Sequence, residues 1–138
     1  MSLRYLLDTN VVSEPVLKAP SAKLLRRLKA EADQCAIGAP VWHELTYAVR
    51  RLPRGKRRTE LEAYIAEVVR SSFPILPYDE AAAAWHGMER SRLKKLGKTA
   101  PFVDGQIAAI AFVNGLELVT GNTKDFRRYK GLSVSTWR

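Results

Sequence analysis

The sequence has few of the residues that mark extracellular or membrane proteins. Its 138 residues include a single cysteine, Cys35, so no internal disulfide bond can form. The longest apolar run, residues 107–113, is much shorter than the roughly 20 residues that cross a bilayer. The N-terminus lacks the basic region and long apolar stretch of a secretory signal. We therefore expect a cytoplasmic protein that does not associate with membranes.

The motifs of several enzyme classes are missing as well, and acidic residues are outnumbered by basic ones. The chain has no Gly-x-x-x-x-Gly-Lys phosphate loop, no Cys/His zinc spacing and no Ser-His-Asp pattern. Asp and Glu number 14 against 23 Lys and Arg, which gives a formal net charge of +9. Such an excess of positive charge favours a polyanionic partner, either nucleic acid or an acidic protein.

What is present is an alternation of short apolar segments and amphipathic helices. We predict strands at residues 5–7, 35–38, 73–77, 116–120 and 132–135, with helical patterns between them. Strands that alternate with helices form a parallel sheet covered on both faces. Prolines on both sides of the third segment predict an edge strand. No repeat, low-complexity tract or linker suggests a second domain.

Polar residues follow three of the predicted strands. Asp8 comes directly after the first, Glu44 lies in the first turns of the helix after the second, and Asn122 and Asp125 follow the fourth. Asp104 opens the most apolar helix, which leads into the fourth strand. Ligands of open α/β sheets bind beyond the carboxyl ends of the strands. Carboxylates that meet there repel unless a divalent cation joins them, and hard oxygen ligands select Mg²⁺ or Mn²⁺.

Some of these residues also have a simpler interpretation. Asp8 is a suitable N-cap for the next helix, and Glu44 is suited to a partly solvated position near a favourable helix N-terminus. The sequence leaves both interpretations open. His43 lies beside Glu44, but one residue along a helix turns the side chain by about 100°. We therefore interpret His43 as peripheral.

Two basic clusters are candidates for contact with nucleic-acid phosphates. The first lies in a turn that contains Pro and Gly, and the second lies at the end of a helix. They comprise Arg54, Lys56, Arg57, Arg58, Arg92, Lys94 and Lys95. An acidic crevice within a basic protein is typical of a nuclease, in which cations hold the phosphate backbone and metal acts at the scissile bond. The alternative is that both clusters are solvated faces.

Four stretches of the sequence together resemble a known family. They are Leu-Asp-Thr-Asn-Val at residues 7–11, the segment 41–45, Asp-Gly-Gln-Ile-Ala-Ala-Ile-Ala at 104–111, and Thr-Gly-Asn-Thr-Lys-Asp-Phe at 120–126. In order and spacing they resemble PIN-domain ribonucleases of the VapC type, the toxin half of a toxin–antitoxin pair. The resemblance implies a three-layer α/β/α sandwich with a central, mostly parallel five-stranded sheet, as a single PIN domain over residues 1–138.

The resemblance also implies a function and a set of site residues. The function is Mg²⁺- or Mn²⁺-dependent endoribonuclease activity of a homodimer that a VapB-type antitoxin inhibits. Asp8, Glu44 and Asp104 match the catalytic, metal-binding acids. The chain departs at Asn122, where some relatives have Asp, so Asp125 is the candidate fourth acid. The expected supporting polar residues are Thr9, Asn10 and Thr120. The alternative function is a non-catalytic RNA- or protein-binding PIN domain with a degenerate metal site.

Overall fold

Five short strands form a central parallel sheet in the computed structural model, which describes residues 2–138. The strands are β1 (Tyr5–Leu7), β2 (Cys35–Gly38), β3 (Ile75–Leu76), β4 (Glu117–Val119) and β5 (Val134–Ser135). Their spatial order is β3-β2-β1-β4-β5, and every neighbouring pair is parallel. The predicted fold class is confirmed, and β3 lies at an edge as its flanking prolines predict.

Helices cover both faces of this sheet. They are α1 (Thr9–Val12), α2 (Ala22–Glu31), α3 (Ala39–Arg50), α4 (Lys56–Ala63), α5 (Arg70–Ser72), α6 (Glu80–Lys95), α7 (Phe102–Val113) and α8 (Thr123–Phe126). Short 3-10 helices span Glu14–Val16 and Ala32–Gln34, and a π-helical segment, Tyr64–Val69, joins α4 to α5. Among residues 2–138, no helix combines the length and apolar composition of a membrane span.

The core is centred on β1 and α7. All three residues of β1 are buried, which is typical of a central parallel strand with helices on both faces. Helix α7 buries residues 107–111 without interruption. A helix that is apolar nearly all round must lie inside the protein. The first turn of α7, which carries Asp104, is therefore held firmly at the edge of the core.

The order of the strands determines where a ligand can bind. The chain passes from β1 to β2 on one side of the sheet, whereas β4 pairs with β1 on the other side. The crevice of such a sheet lies where the order reverses, beyond the carboxyl ends of the strands. Leu7 of β1 is in register with Val119 of β4. Asp8 and Thr120, the next residues of the two strands, therefore lie side by side at this edge.

Helix α6 packs against α7 through a close contact at Gly105. The buried His86 ring of α6 lies over Gly105, and its Nδ1 is 2.7 Å from the hydroxyl of Tyr78. A Cβ added at Gly105 would come within 3.0 Å of three atoms of this ring. A side chain at this position would have to displace either His86 or the first turn of α7. Gly105 therefore helps to set the position of the neighbouring Asp104.

We predict that Gly105→Ala destabilises the protein by about 1–3 kcal/mol, the usual cost of overpacking a core. Gly87→Ala is the matched control, because Gly87 also lies in a helix but has nothing within 4 Å of an added Cβ. The control should be neutral or gain up to about 1 kcal/mol from helix propensity. Urea unfolding of both variants measures the difference, and equal stabilities would show that the contact with His86 does not constrain α7.

Candidate active site

Asp8 lies at the carboxyl end of β1 and serves two purposes there. Its Oδ1 accepts a hydrogen bond of 2.8 Å from the backbone amide of Thr9, as expected of the N-cap of α1. Its Oδ2 accepts a hydrogen bond of 2.8 Å from the hydroxyl of Thr120. The side chain is nearly buried, and this burial raises the pKa of Asp8 although both hydrogen bonds lower it. Asp8 is therefore a helix cap that also faces the crevice.

The loops after β1 and β4 are joined by further polar contacts. The fully buried Thr120 hydroxyl, besides donating to Asp8, accepts a hydrogen bond of 3.0 Å from the amide of Asn122. The side-chain oxygen of Asn10 accepts a hydrogen bond of 3.0 Å from the amide of Gly121. The polar residues Asn10 and Thr120 thus lie in the crevice, where they hold the two loops together.

Glu44 is held beside Asp8 by Thr9, the third of the predicted supporting polar residues. Its Oε2 lies 3.3 Å from the hydroxyl of Thr9, which donates a hydrogen bond to it. Burial raises the pKa of Glu44, and the negative charge of Asp8 raises it further. The neighbouring His43 is exposed, yet its charge lowers the pKa of Glu44. His43 is therefore peripheral in position, as we interpreted it, but its charge affects the pKa of Glu44.

Asp104 shows that the acids share one electrostatic environment. Burial is the main cause of its raised pKa, followed by the negative charges of Asp8, Asp125 and Glu44, in that order. The positive charge of Arg128 opposes them. We call the space between these four carboxylates the acidic crevice. Among residues 2–138, the Asp104 carboxylate has no hydrogen-bond or salt-bridge partner, although its side chain is half-buried.

Asp125 and Asn122 lie at the solvent side of the crevice. The side chain of Asp125 is 52% exposed, and its Oδ1 is 3.5 Å from Nη2 of Arg128. Asn122 is exposed, and its side chain makes no capping hydrogen bond at the start of α8. Arg128 also donates a hydrogen bond of 2.6 Å to the carbonyl of Thr99, just before α7. Arg128 was not predicted from the sequence, because one Arg among several cations of a basic segment carries no signal of its position.

The donor set is suited to a hard divalent cation. It consists of carboxylate and amide oxygens, and the Asp104 carboxylate has free lone pairs within a site of negative charge. As the side chains stand, however, no three Asp, Glu, His or Cys residues within 2–138 converge closely enough to form a ligand set. The acids are thus near neighbours whose charges interact, without forming a closed ligand set among the described residues.

The predicted RNA-binding residues are of two kinds. Arg58 forms an ion pair with Glu62 at 3.0 Å and is largely buried, and Arg92 binds Glu89 through two hydrogen bonds of 2.8 Å. These two guanidinium groups are engaged within the fold. The side chains of the other predicted residues are exposed: Arg54, Lys56, Arg57, Lys94 and Lys95. Their contact with RNA stays a prediction.

A comparison with known families decides the identity of this fold. The family model described as "PIN domain" matches residues 5–132. The chain belongs to the PIN domain family. Toxin FitB of Neisseria gonorrhoeae is 34% identical over 124 residues, 88% of this chain and 89% of that protein. Ribonuclease VapC2 of Haemophilus influenzae is 30% identical over 135 residues, 98% of each chain.

Solved structures agree with this assignment. The crystal structure of VapBC2 from Rickettsia felis, bound to a DNA fragment from its promoter, includes a chain that matches this PIN domain with a TM-score of 0.85. The two chains are 26% identical, and the match covers 100% of each. The predicted resemblance to VapC-type PIN domains is therefore confirmed.

We predict that Asp104→Asn does not destabilise the metal-free protein. The substitution removes one of four repelling carboxylates with almost no change of shape, so the variant should melt at the same temperature or higher in chelator. Because the folded-state pKa of Asp104 is raised, its charge destabilises the fold most at higher pH, and this cost fades as the pH falls through that pKa. The stability advantage of the variant over the wild type should therefore also disappear as the pH falls.

Thermal melts in chelator at neutral and acidic pH measure this effect. If Asp104 acted only as a favourable negative charge at the N-terminal end of α7, the variant would instead lose about 0.3–1 kcal/mol of stability. Saturation with Mn²⁺ provides the second readout. At a hundred times the dissociation constant, a ligand of the native state stabilises by about 2.7 kcal/mol. The wild type should gain this stabilisation and Asp104→Asn much less of it.

Proposed function

We propose that this PIN domain is a Mg²⁺- or Mn²⁺-dependent endoribonuclease and the toxin of a VapBC-type toxin–antitoxin pair. The observation that carries the proposal is the acidic crevice of a chain with net charge +9, in which the half-buried Asp104 carboxylate has no partner among residues 2–138. Ribonuclease activity is named for the relative VapC2. The acidic crevice and the basic surroundings are the two features that phosphodiester cleavage requires.

In this proposal Asp8, Glu44 and Asp104 hold the ion, and Asp125 and Asn122 complete its shell. When bound, the ion supplies Lewis-acid stabilisation of the phosphate and a nucleophile generated from water at neutral pH. The protein's own contribution is to fix the ligands. The hydroxyl of Thr120 donates a hydrogen bond to one oxygen of Asp8. This bond fixes the orientation of the carboxylate and of its remaining lone pairs.

Thr9 and Arg128 have supporting roles in the proposal. The Thr9 hydroxyl orients Glu44 toward Asp8, against the repulsion between the two carboxylates. Arg128 lies beside Asp125 and lowers the pKa of Asp104, so it helps to keep Asp104 ionised and ready for a cation. Its exposed neighbours Arg127 and Lys130 extend the positive charge toward an incoming RNA backbone.

The partners follow from the same proposal. The structural relative from R. felis is a VapBC complex, which supports an antitoxin partner for this chain. We also propose that the PIN domain, one domain over residues 1–138, acts as a homodimer on RNA in the cytoplasm. The only cysteine of the sequence, Cys35, forms no internal disulfide bond, which is consistent with a reducing compartment.

A second candidate function is a non-catalytic RNA- or protein-binding PIN domain. The observation in its favour is that no closed ligand set is formed by the side chains of residues 2–138 as they stand. In that case the acids would bind metal too weakly to support turnover.

Digestion of single-stranded RNA by the purified protein distinguishes the two functions. We expect cleavage with Mg²⁺ or Mn²⁺ and none in chelator. Asp8→Asn and Asp104→Asn should each lose more than about 100-fold in rate, because even groups that only support metal ligands contribute 10- to 100-fold. Asp33→Asn removes the same charge at an exposed position between α2 and β2 and should cleave normally. Cleavage in chelator, or by Asp8→Asn, would contradict the nuclease proposal.

A further inference from the structure

A small basic pocket lies between the C-terminal half of α6 and the segment that leads into α7. Its volume is about 200 Å³, and the charged residues that line it are Arg90, Lys94 and Lys98. Thr99 and Tyr129 form part of its wall. Pockets for whole small molecules measure roughly 300–1,000 Å³. This pocket is therefore suited to a single charged group of a larger ligand.

The three cations of the pocket are available to a ligand. Within residues 2–138, none of Arg90, Lys94 and Lys98 forms a salt bridge. The nearest acid along α6 is Glu89, which is engaged by Arg92 and by the backbone amide of Lys130. Of the residues that the structure describes, no Asp or Glu lines the pocket. A site with three cations and no acid attracts an anion.

The pocket borders the acidic crevice. Thr99, in its wall, accepts a hydrogen bond from Arg128, and Arg128 pairs in turn with Asp125. Tyr129, which also lines the pocket, is near enough to Asp104 for the charge of that carboxylate to raise the pKa of Tyr129, after the larger effect of burial. An anion in the pocket would therefore lie beside the site of cleavage and not at a remote surface.

An exposed aromatic ring lies beside the pocket. Phe102, two residues before Asp104, is 49% exposed. The Arg90 guanidinium lies 5.3 Å from the centre of its ring, and the His86 ring lies 4.8 Å from it. Both of these residues also line the pocket. Flat aromatic surfaces beside cationic grooves are where the bases of single-stranded nucleic acids stack.

We propose that this pocket and Phe102 form a nucleotide subsite for single-stranded RNA. Arg90, Lys94 and Lys98 bind one backbone phosphate next to the scissile linkage, and the adjoining base stacks on Phe102. This inference rests on the proposed ribonuclease function. It adds to that function the residues that determine which phosphate of the RNA lies beside Asp104. From the sequence we assigned a phosphate contact to Lys94, but none to Arg90, Lys98 or Phe102.

The test measures binding of a fluorescent single-stranded oligoribonucleotide in chelator, where no cleavage occurs. The pocket variant carries Arg90→Gln, Lys94→Gln and Lys98→Gln. The control carries Lys23→Gln, Arg26→Gln and Lys29→Gln, which remove the same charge from exposed positions of α2. We expect the pocket variant to bind at least about tenfold more weakly than the control. Its salt slope should fall by about 0.7, the value for one single-strand phosphate contact.

Two further measurements locate the phosphate and the base. Oligonucleotides with one neutral methylphosphonate linkage, moved one position at a time, should lose affinity for the wild type at a single position. The pocket variant should show no such position. Phe102→Leu keeps an apolar side chain in α7 but removes the stacking surface, and should weaken binding by at least about fivefold. Thermal melts confirm that each variant is folded.

The outcomes separate this inference from the nuclease proposal. If the pocket variant and the control bind RNA equally, the subsite is wrong, whereas metal-dependent cleavage by the wild type would still support the nuclease. If the pocket binds RNA as described but no RNA is cut with Mg²⁺ or Mn²⁺, the nuclease proposal fails and the subsite stands. If the pocket variant keeps its RNA affinity but loses a protein partner, the pocket is a protein interface and the inference is overturned.

Discussion

Repulsion between carboxylates at one edge of a parallel sheet is the constraint on which the rest of this structure depends. Asp8, Glu44 and Asp104 come from three different elements, and each has a raised pKa to which its neighbours or its burial contribute. No fold gathers such groups without a cost in stability. The buried β1 and α7 supply the rigidity that holds them together, and the hydroxyls of Thr9 and Thr120 supply the hydrogen bonds.

The surroundings of the crevice are arranged to tolerate this repulsion in the absence of a ligand. Arg128 is a cation whose charge acts on Asp104, and it also joins the segment before α7 to the loop after β4. Further exposed cations lie on α4, at the end of α6 and beside Arg128. The protein can therefore attract an RNA backbone with its surface and still leave its acids free for a cation.

The sheet could be predicted from the sequence, because the hydrophobic periods of strands and helices are local patterns. The polar residues that follow the strands, and the acids whose charges interact, could also be predicted, because ligands of such sheets bind beyond the carboxyl ends of the strands. The contacts that orient these acids could not be predicted. The bond from Thr120 to Asp8 joins residues 112 positions apart, and it exists because Leu7 and Val119 are in register. Likewise, the engagement of Arg92 by Glu89 depends on side-chain packing that charge counting does not detect.

The central claim is that the acidic crevice binds a divalent cation, and anomalous diffraction from crystals soaked in Mn²⁺ tests it most directly. Mn²⁺ scatters anomalously and occupies the oxygen sites that Mg²⁺ uses. The account predicts an anomalous peak in coordination contact with Asp8 and Asp104, with Glu44, Asp125 or Asn122 close enough to complete the shell directly or through water. The side chains should have moved toward the ion. A saturating soak that leaves the crevice empty, or that places Mn²⁺ only at other carboxylates, would contradict the account.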